Sequence, residues 1–216
     1  MKAFCSFSGG KDSALSLFLA EKEGVDCEVL LTMLDEKGDR TRSHGIRASL
    51  LSEQAFAIGK RMVQRSTSWE DYEKVFKDVV YSLKEEGIEA GIFGDIDIEE
   101  HRIWIERVCR ELSIVPILPL WGMKREDIVK EFVDYSFKAF LCATKLEVLR
   151  PYLGKEIDIE FLREMRSISV DPCGEKGEFH TFVYDGPIFK KRLLVEKGEE
   201  ICKDGFYFLD VRLLEG

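Results

Sequence analysis

Short apolar runs alternate with amphipathic stretches from the first residues onward. Residues 2–7 read as a buried strand, and residues 12–23 as a helix in which Leu15, Phe18 and Leu19 share one face by i, i+3, i+4 spacing. A second apolar run over 27–33 is rich in Val, Leu and Thr, and Leu51, Ala55 and Ile58 then give helical spacing that stops at Gly59. A strand over 62–65 precedes a helix over 69–86 whose stripe is Tyr72, Val75, Phe76, Val79 and Leu83. Strands over 90–94, 114–117 and 137–143 alternate with helices over 98–112 and 124–134. Repeated βα units predict an α/β fold, with a parallel sheet covered by helices on both faces and right-handed crossovers.

The pattern changes after Lys145. Residues 158–165 read as a helix, whereas 179–183, 192–196 and 206–213 read as strands, with Lys203, Asp204 and Gly205 as a turn. In the last strand Tyr207, Leu209, Val211 and Leu213 alternate with Phe206, Phe208, Asp210 and Arg212, the period of two of a pleated chain. The expected organisation is an α/β domain over 1–146 followed by a smaller, β-rich α+β domain over 147–216. The closing alternation suits either the chain's own sheet or an edge shared with a second copy, so a homodimer is one expectation.

Composition narrows the partners. The 216 residues are 45% hydrophobic and 34% charged, a globular balance, and the formal charge of −9 argues against a broad nucleic-acid footprint. Small-molecule or protein substrates are favoured instead. No apolar run approaches the roughly 18 residues of a membrane span, and Lys2 leads directly into a strand rather than into a leader sequence, so a cytoplasmic protein with no membrane partner is expected. The six cysteines (Cys5, Cys27, Cys109, Cys142, Cys173 and Cys202) form no C-x-x-C pair, which speaks against a zinc ribbon or a redox dithiol.

The first strand runs into FSGGKDSALSLF, residues 7–18. A glycine-rich turn between a strand and a helix aims backbone N–H groups at one spot, where the helix dipole also favours negative charge. Gly9 and Gly10 allow close approach, Ser8 and Ser13 add hydroxyls, and Lys11 adds a cation, so phosphate is the natural occupant. Asp12 suits either a helix cap or a magnesium ligand. Asp95, next to Gly94 after the fourth strand, has the same two readings, at the carboxyl edge where ligands of open α/β sheets bind. Met33 ends the second strand, where its backbone can meet a nucleotide base while its side chain joins the core. His44 lies in a polar loop with Ser43 and suits either a site near the nucleotide or a surface position. His101 falls on the stripe with Ile98, Ile105, Val108 and Leu112 and reads as a core or boundary histidine.

VDPCGEKGEFHTFVYDGP, residues 170–187, is the second unusual stretch. If Phe179 opens a strand, Glu178 and His180 point to one face, with Glu175 close by. A carboxylate and an imidazole together can orient an acceptor, hold ammonia or serve as a general base, and a turn of solvated charges is the plainer reading.

The SGGKDS turn lacks the spacing of the kinase and GTPase loop or of the dinucleotide fingerprint and resembles the signature of the PP-loop ATP pyrophosphatases. Thr32-Met33, the loop Ser43-His44-Gly45, Gln54-Ala55, Pro119-Leu120-Trp121-Gly122 and the stretch from Gly174 to Val183 extend the resemblance over nearly the whole chain, to the diphthine–ammonia ligase family. The resemblance implies a HUP-type nucleotide-binding domain with a smaller family-specific domain, and an ATP-dependent ligase using Mg2+. Such an enzyme activates a carboxylate of a small molecule or protein as an acyl-adenylate, releasing pyrophosphate, and ammonia then forms the amide. Residues 8–13, Met33, His44, Gly94 and Asp95 would then hold the nucleotide, Asp12 and Asp95 the metal, and Lys11, Glu175, Glu178 and His180 would carry catalysis.

One departure bears on the acceptor. The family's usual form reads G-E-G-G-E-[FY]-E-T, whereas this chain has Lys176 in place of a glycine and His180 in place of a glutamate. The altered form resembles a second branch of the family, inferred to act on a corrinoid in cobalamin salvage rather than on diphthine in elongation factor 2. A tRNA-modifying PP-loop enzyme and a non-catalytic nucleotide sensor complete the alternatives. The acidic charge and isolated cysteines weigh against the first, and the retained Lys11, Asp12 and Glu178/His180 segment against the second.

Overall fold

A computed structural model describes residues 1–42, 44–203 and 205–214, so Ser43 and Asp204 of the loop and turn above lie outside the described residues. Strands β1 (Lys2–Ser6), β2 (Asp26–Leu34), β3 (Arg61–Ser66), β4 (Ala90–Ile92) and β5 (Val115–Ile117) form a five-stranded parallel sheet in the order β3-β2-β1-β4-β5. The connections carry helices α1 (Lys11–Lys22), α2 (Ala48–Ile58), α3 (Tyr72–Glu85) and α4 (Glu99–Leu112). Side chains alternate across β1: Ala3 and Cys5 join a core with Leu15 and Leu17 of α1, while Phe4 faces the opposite cluster of Phe76, Val80 and Val108. Burial on both faces explains why the inner strands β1, β2 and β4 read as continuous apolar runs, while the edge strands β3 and β5 are partly exposed.

A second sheet is antiparallel, with β6 (Lys138–Thr144), β7 (Phe179–Asp185), β8 (Val195–Lys203) and β9 (Phe206–Leu213) in the order β7-β6-β9-β8. Here the sequence expectation is corrected. The strand expected over 137–143 forms, but it pairs with β7 and β9 instead of extending the parallel layer. Ala139 to Thr144 are all buried, so the segment has the apolar signature of a central strand in either sheet. Its helix, α5 (Arg125–Asp134), gives it the look of one more βα unit although it packs with α6 (Ile159–Ser167). A short 3-10 segment, Glu147–Tyr152, joins β6 to α6.

The layers share one core. Phe7, Leu15 and Leu17 from the parallel layer cluster with Phe132, Phe137, Leu141, Phe161 and Phe179. The turn after β1 is thereby fixed against the start of β7. Order in the parallel sheet reverses between β1 and β4, and the loops leaving those two strands open the crevice in which α/β sheets of this kind bind ligands. Among the described residues no helix is long and apolar enough to cross a membrane.

Candidate functional site

The turn after β1 takes its shape from three neighbours. Gly9 has φ +81°, and a Cβ there would sit 2.6 Å from Leu51 Cδ2 and 2.8 Å from Gln54 Oε1, so glycine is required twice over. Gln54 Nε2 donates to Gly9 O at 3.2 Å and to Val183 O at 2.6 Å, and the Val183 N–H also donates to Gly9 O at 2.9 Å. A Cβ on Gly10 would lie 2.7 Å from His44 Nε2. α2, the His44 loop and β7 thus clamp the turn from three sides. Inside it, Ser13 Oγ donates to Gly10 O at 3.0 Å and shares a 3.3 Å hydrogen bond with Ser8 Oγ. At the start of α1 the Gly10 N–H donates to Ser8 Oγ at 3.3 Å and the Lys11 N–H to Thr181 Oγ1 at 3.0 Å, while the Asp12 and Ser13 amides have no carbonyl one turn back within the helix and are the donors left for an anion.

The turn opens into a cleft of about 630 Å³ walled by Ser8, Lys11, Asp12, Ser13, Met33, His44, Asp95, Glu175 and His180 among others. Most of the site residues expected from the sequence therefore converge on one space. Gly94 joins them for a packing reason: a Cβ there would come within 3.0 Å of the Asp12 carbonyl carbon and the Ser13 nitrogen, so the loop after β4 lies flat on the first turn of α1. Met33 lies on the wall and packs against the α3/α4 core.

Lys11 is buried, with Nζ 2.8 Å from both Asp12 oxygens and 2.7 Å from Cys173 O. Burial opposes its charge, but the Asp12 carboxylate outweighs it and holds the ammonium above its ordinary pKa. Glu175 shows the opposite balance. Burial, followed by repulsion from Asp12 and then Asp95, outweighs Lys11 and lifts its carboxyl to about 7. The loop carrying Glu175 is tied down by Asp171, which accepts the Cys173 and Glu175 N–H groups at 3.0 Å and pairs with Arg125, itself bound to Asp97.

His44 and His180 face each other with ring centroids 4.5 Å apart. Burial drives the His44 imidazole well below its usual pKa, with His180 and Lys11 adding to the effect. Burial likewise brings His180 down to about 4, aided by Lys11 and Lys145. Both rings are neutral near pH 7, so replacing the family's usual glutamate with His180 removes a negative charge without adding a positive one.

Two sequence readings are corrected. Glu178 does not line the cleft: its carboxylate accepts the Lys176 N–H at 2.9 Å, because the chain is still turning at Gly177 (φ +74°) and strand alternation begins only at Phe179. His101 is an exposed rim residue rather than part of the core, with Nδ1 3.0 Å from Asp95 Oδ1. That hydrogen bond raises the His101 pKa against the opposing effect of burial.

Arg42, Trp69, Tyr72 and Thr181 also line the cleft and were not expected there from the sequence, which placed Tyr72 on a core-facing helix stripe. Trp69 leaves the predicted helix because Ser68 Oγ caps the Asp71 N–H at 3.0 Å, and α3 starts at Tyr72. No chemical signature marks any of the four; only the topology brings them to this wall.

The carboxylates bear on magnesium. No group of three or more His, Cys, Asp or Glu suited to a metal occurs among the described residues. Asp12 and Asp95 both lie on the cleft wall, and the upward push they exert on Glu175 marks a negative locus that a hard cation would relieve. One or two carboxylates with substrate phosphates is a usual magnesium environment.

A parallel sheet ordered 3-2-1-4-5, with a serine- and glycine-rich turn at its switch point and a smaller antiparallel sheet closing the cleft, defines a doubly wound α/β nucleotide-binding type of layer with a second sheet appended. Family models described as the diphthamide synthase N-terminal and C-terminal domains match residues 1–116 and 124–213. The chain therefore belongs to the diphthamide synthase family. A human relative named diphthine–ammonia ligase is 28% identical over 163 residues, 73% of this chain and 61% of the relative, so that alignment spans under two thirds of the human protein. Relatives of the same name from rat (27% identical) and mouse (26% identical) each align over 99% of this chain and 90% of their own length. A solved structure described as "predicted subunit of tRNA methyltransferase" from Methanocaldococcus jannaschii aligns with a TM-score of 0.48 and 20% identity, covering 89% of this chain and all of that one.

Proposed function

We propose that this protein is an ATP-dependent carbon–nitrogen ligase that adenylates a carboxylate and then transfers ammonia to it. The observation that carries the reading is the convergence on one cleft of the turn at residues 8–13, the buried Lys11 and the near-neutral acid Glu175. The Asp12 and Ser13 amides and the Ser8 and Ser13 hydroxyls bind the ATP phosphates, and the buried Lys11 ammonium, held by Asp12 and Cys173 O, adds positive field where charge develops on pyrophosphate. An acceptor carboxylate oxygen bonds to the α-phosphorus as the bond to pyrophosphate breaks. Ammonia next attacks the acyl carbon, the C–O bond to AMP breaks, and the nitrogen loses a proton.

Glu175 suits the role of proton acceptor in the second step: burial is the largest cause that holds its carboxyl above the ordinary range, and magnesium on Asp12 and Asp95 would lower it from there, toward the ionised base. His180, with its pKa of about 4, is a weak base and a neutral wall group. Asp12 and Asp95 would hold magnesium, which supplies charge neutralisation at the phosphates. The family match favours this reading over RNA modification and nucleotide sensing; diphthine, which the relatives' name specifies, is the first acceptor to supply, and a corrinoid, the acceptor of the branch whose form His180 resembles, is the second.

Exchange of labelled pyrophosphate into ATP tests the first step in isolation. With diphthine-bearing elongation factor 2 and magnesium present and ammonium absent, label is expected to enter ATP. Failure of exchange alongside ammonium-dependent AMP release would replace the adenylate with a concerted route.

A further inference from the structure

One face of β9 presents Phe206, Phe208, Asp210 and Arg212 by the pleat's period of two. Asp210 stands apart in this row because it is a carboxylate only 2% exposed. Three guanidiniums meet it. Arg47 forms a fork, with Nε donating to Oδ1 at 3.1 Å and Nη2 to both oxygens at 2.9 Å. Arg40 Nη2 donates to Oδ1 at 3.0 Å, and Arg212 Nε to Oδ2 at 2.8 Å. Burial opposes the Asp210 charge, but the hydrogen bonds from Arg47, Arg40 and Arg212 outweigh it and hold the carboxyl well below its ordinary range. An apolar group of similar volume would stabilise such a position as well or better, so stability alone does not account for the cluster, whereas fixing a register does.

Two of the three arginines bracket one loop. Arg40 and Arg47 face each other across an antiparallel bridge, the Thr41 N–H donates to Ile46 O at 2.8 Å, and the Ile46 N–H donates to Thr41 Oγ1 at 3.1 Å. Arg40 Nη1 also donates to Gly45 O at 2.7 Å, so the loop is tied to itself. It carries His44, whose Nε2 lies 2.7 Å from where a Cβ on Gly10 would sit and whose ring faces His180 with centroids 4.5 Å apart. The loop meets the second sheet in two ways. Ile46 joins an apolar cluster with Val211, and a Cβ on Gly45 would lie 2.4 Å from Phe208 Cδ1. Apolar contact has no direction, whereas the planar fork of Arg47 on Asp210 sets an angle.

We propose that Asp210 is a positioning residue for the cleft: through Arg47 and Arg40 it orients the loop that seats His44 on the turn after β1 and against His180. The role rests on the ligase reading above, in which that turn holds the ATP phosphates. Arg212 pairs with the same carboxylate from β9 itself, outside the loop. It shares the ion cluster without tethering His44, and that difference separates positioning from stabilisation.

ATP binding by calorimetry, thermal unfolding and the NMR signals of the histidine rings are compared in the wild type, Asp210→Asn, Arg47→Ala and Arg212→Ala. The chain has three histidines, so their ring protons can be assigned by substitution. The wild type should show a nuclear Overhauser contact between the His44 and His180 rings. Asp210→Asn and Arg47→Ala are expected to lose that contact and to weaken ATP binding about tenfold, the scale of one lost charge-assisted hydrogen bond. Arg212→Ala is expected to keep both. Arg47 is partly exposed, so Arg47→Ala decides the matter if Asp210→Asn does not fold. An intact ring contact in Arg47→Ala, or a lost contact with ATP affinity unchanged, overturns the assignment. Equal losses in Arg47→Ala and Arg212→Ala that follow their melting temperatures overturn it too, by making the cluster purely structural. If ATP fails to bind the wild type, the ligase reading fails, and the ring contact alone decides whether Asp210 orients the loop.

Discussion

The backbone N–H of Lys11 donates to Thr181 Oγ1 at 3.0 Å, joining the first residue of α1 to a strand 170 positions later. Both groups are buried, and the bond fixes the turn after β1 to the second sheet. Thr181→Val keeps the side-chain shape and leaves a buried donor unpaired. It is expected to destabilise the fold by about 1–3 kcal/mol, read from denaturant unfolding, and to weaken ATP binding as the turn loosens.

Gly9→Ala is expected to be more damaging. The left-handed backbone at φ +81° and the 2.6 Å approach to Leu51 Cδ2 leave no room for a methyl group. Backbone strain alone is worth about 1–3 kcal/mol, so a lower melting temperature and lost nucleotide affinity should appear together. Unchanged melting with normal ATP binding would show that the turn adopts another conformation.

Glu175 gives a pH dependence of definite sign. Its folded pKa of about 7 lies above the ordinary carboxyl value, so the folded state holds a proton that the unfolded chain has already released. The contribution to stability is present at low pH and is lost as pH rises toward and through 7. Activity should move the other way, rising as the base form appears, over a range displaced below 7 where magnesium offsets the Asp12 and Asp95 charges. Glu175→Gln is expected to flatten both profiles, and an unaltered rate profile in that variant would remove Glu175 from proton transfer.

The facing imidazoles make a spectroscopic prediction. Both rings should remain neutral at pH 7 in NMR titrations, His180 titrating near 4. His180→Glu restores the family's usual carboxylate, and with His44 only 4.5 Å away the His44 pKa should rise. No change at His44 would place the rings apart in solution.

Much of this organisation was legible in the sequence because it depends on local patterns. The βα alternation follows from apolar periodicity, the period-two run of β9 from its pleat, and the tight turn after β1 from a strand, two glycines and a helix in succession. What escaped depends on distant partners. The apolar signature of β6 fits either sheet, and only pairing with β7 and β9 decides between them. Helical spacing put His101 on an apolar stripe, but its side chain reaches Asp95 across the cleft rim. Glu178 precedes the strand whose alternation was used to orient it. Arg42 and Trp69 come from separate loops and meet only in the folded chain.

Product analysis with ATP, magnesium, ammonium and diphthine-bearing elongation factor 2 addresses the ligase reading itself, with Lys11→Ala run beside the wild type. AMP and pyrophosphate are expected in step with amide formation, falling about a hundredfold or more in Lys11→Ala, the scale of one lost transition-state contact. Release of ADP and phosphate, or AMP formation equal in both proteins, would contradict adenylation at the Lys11 turn.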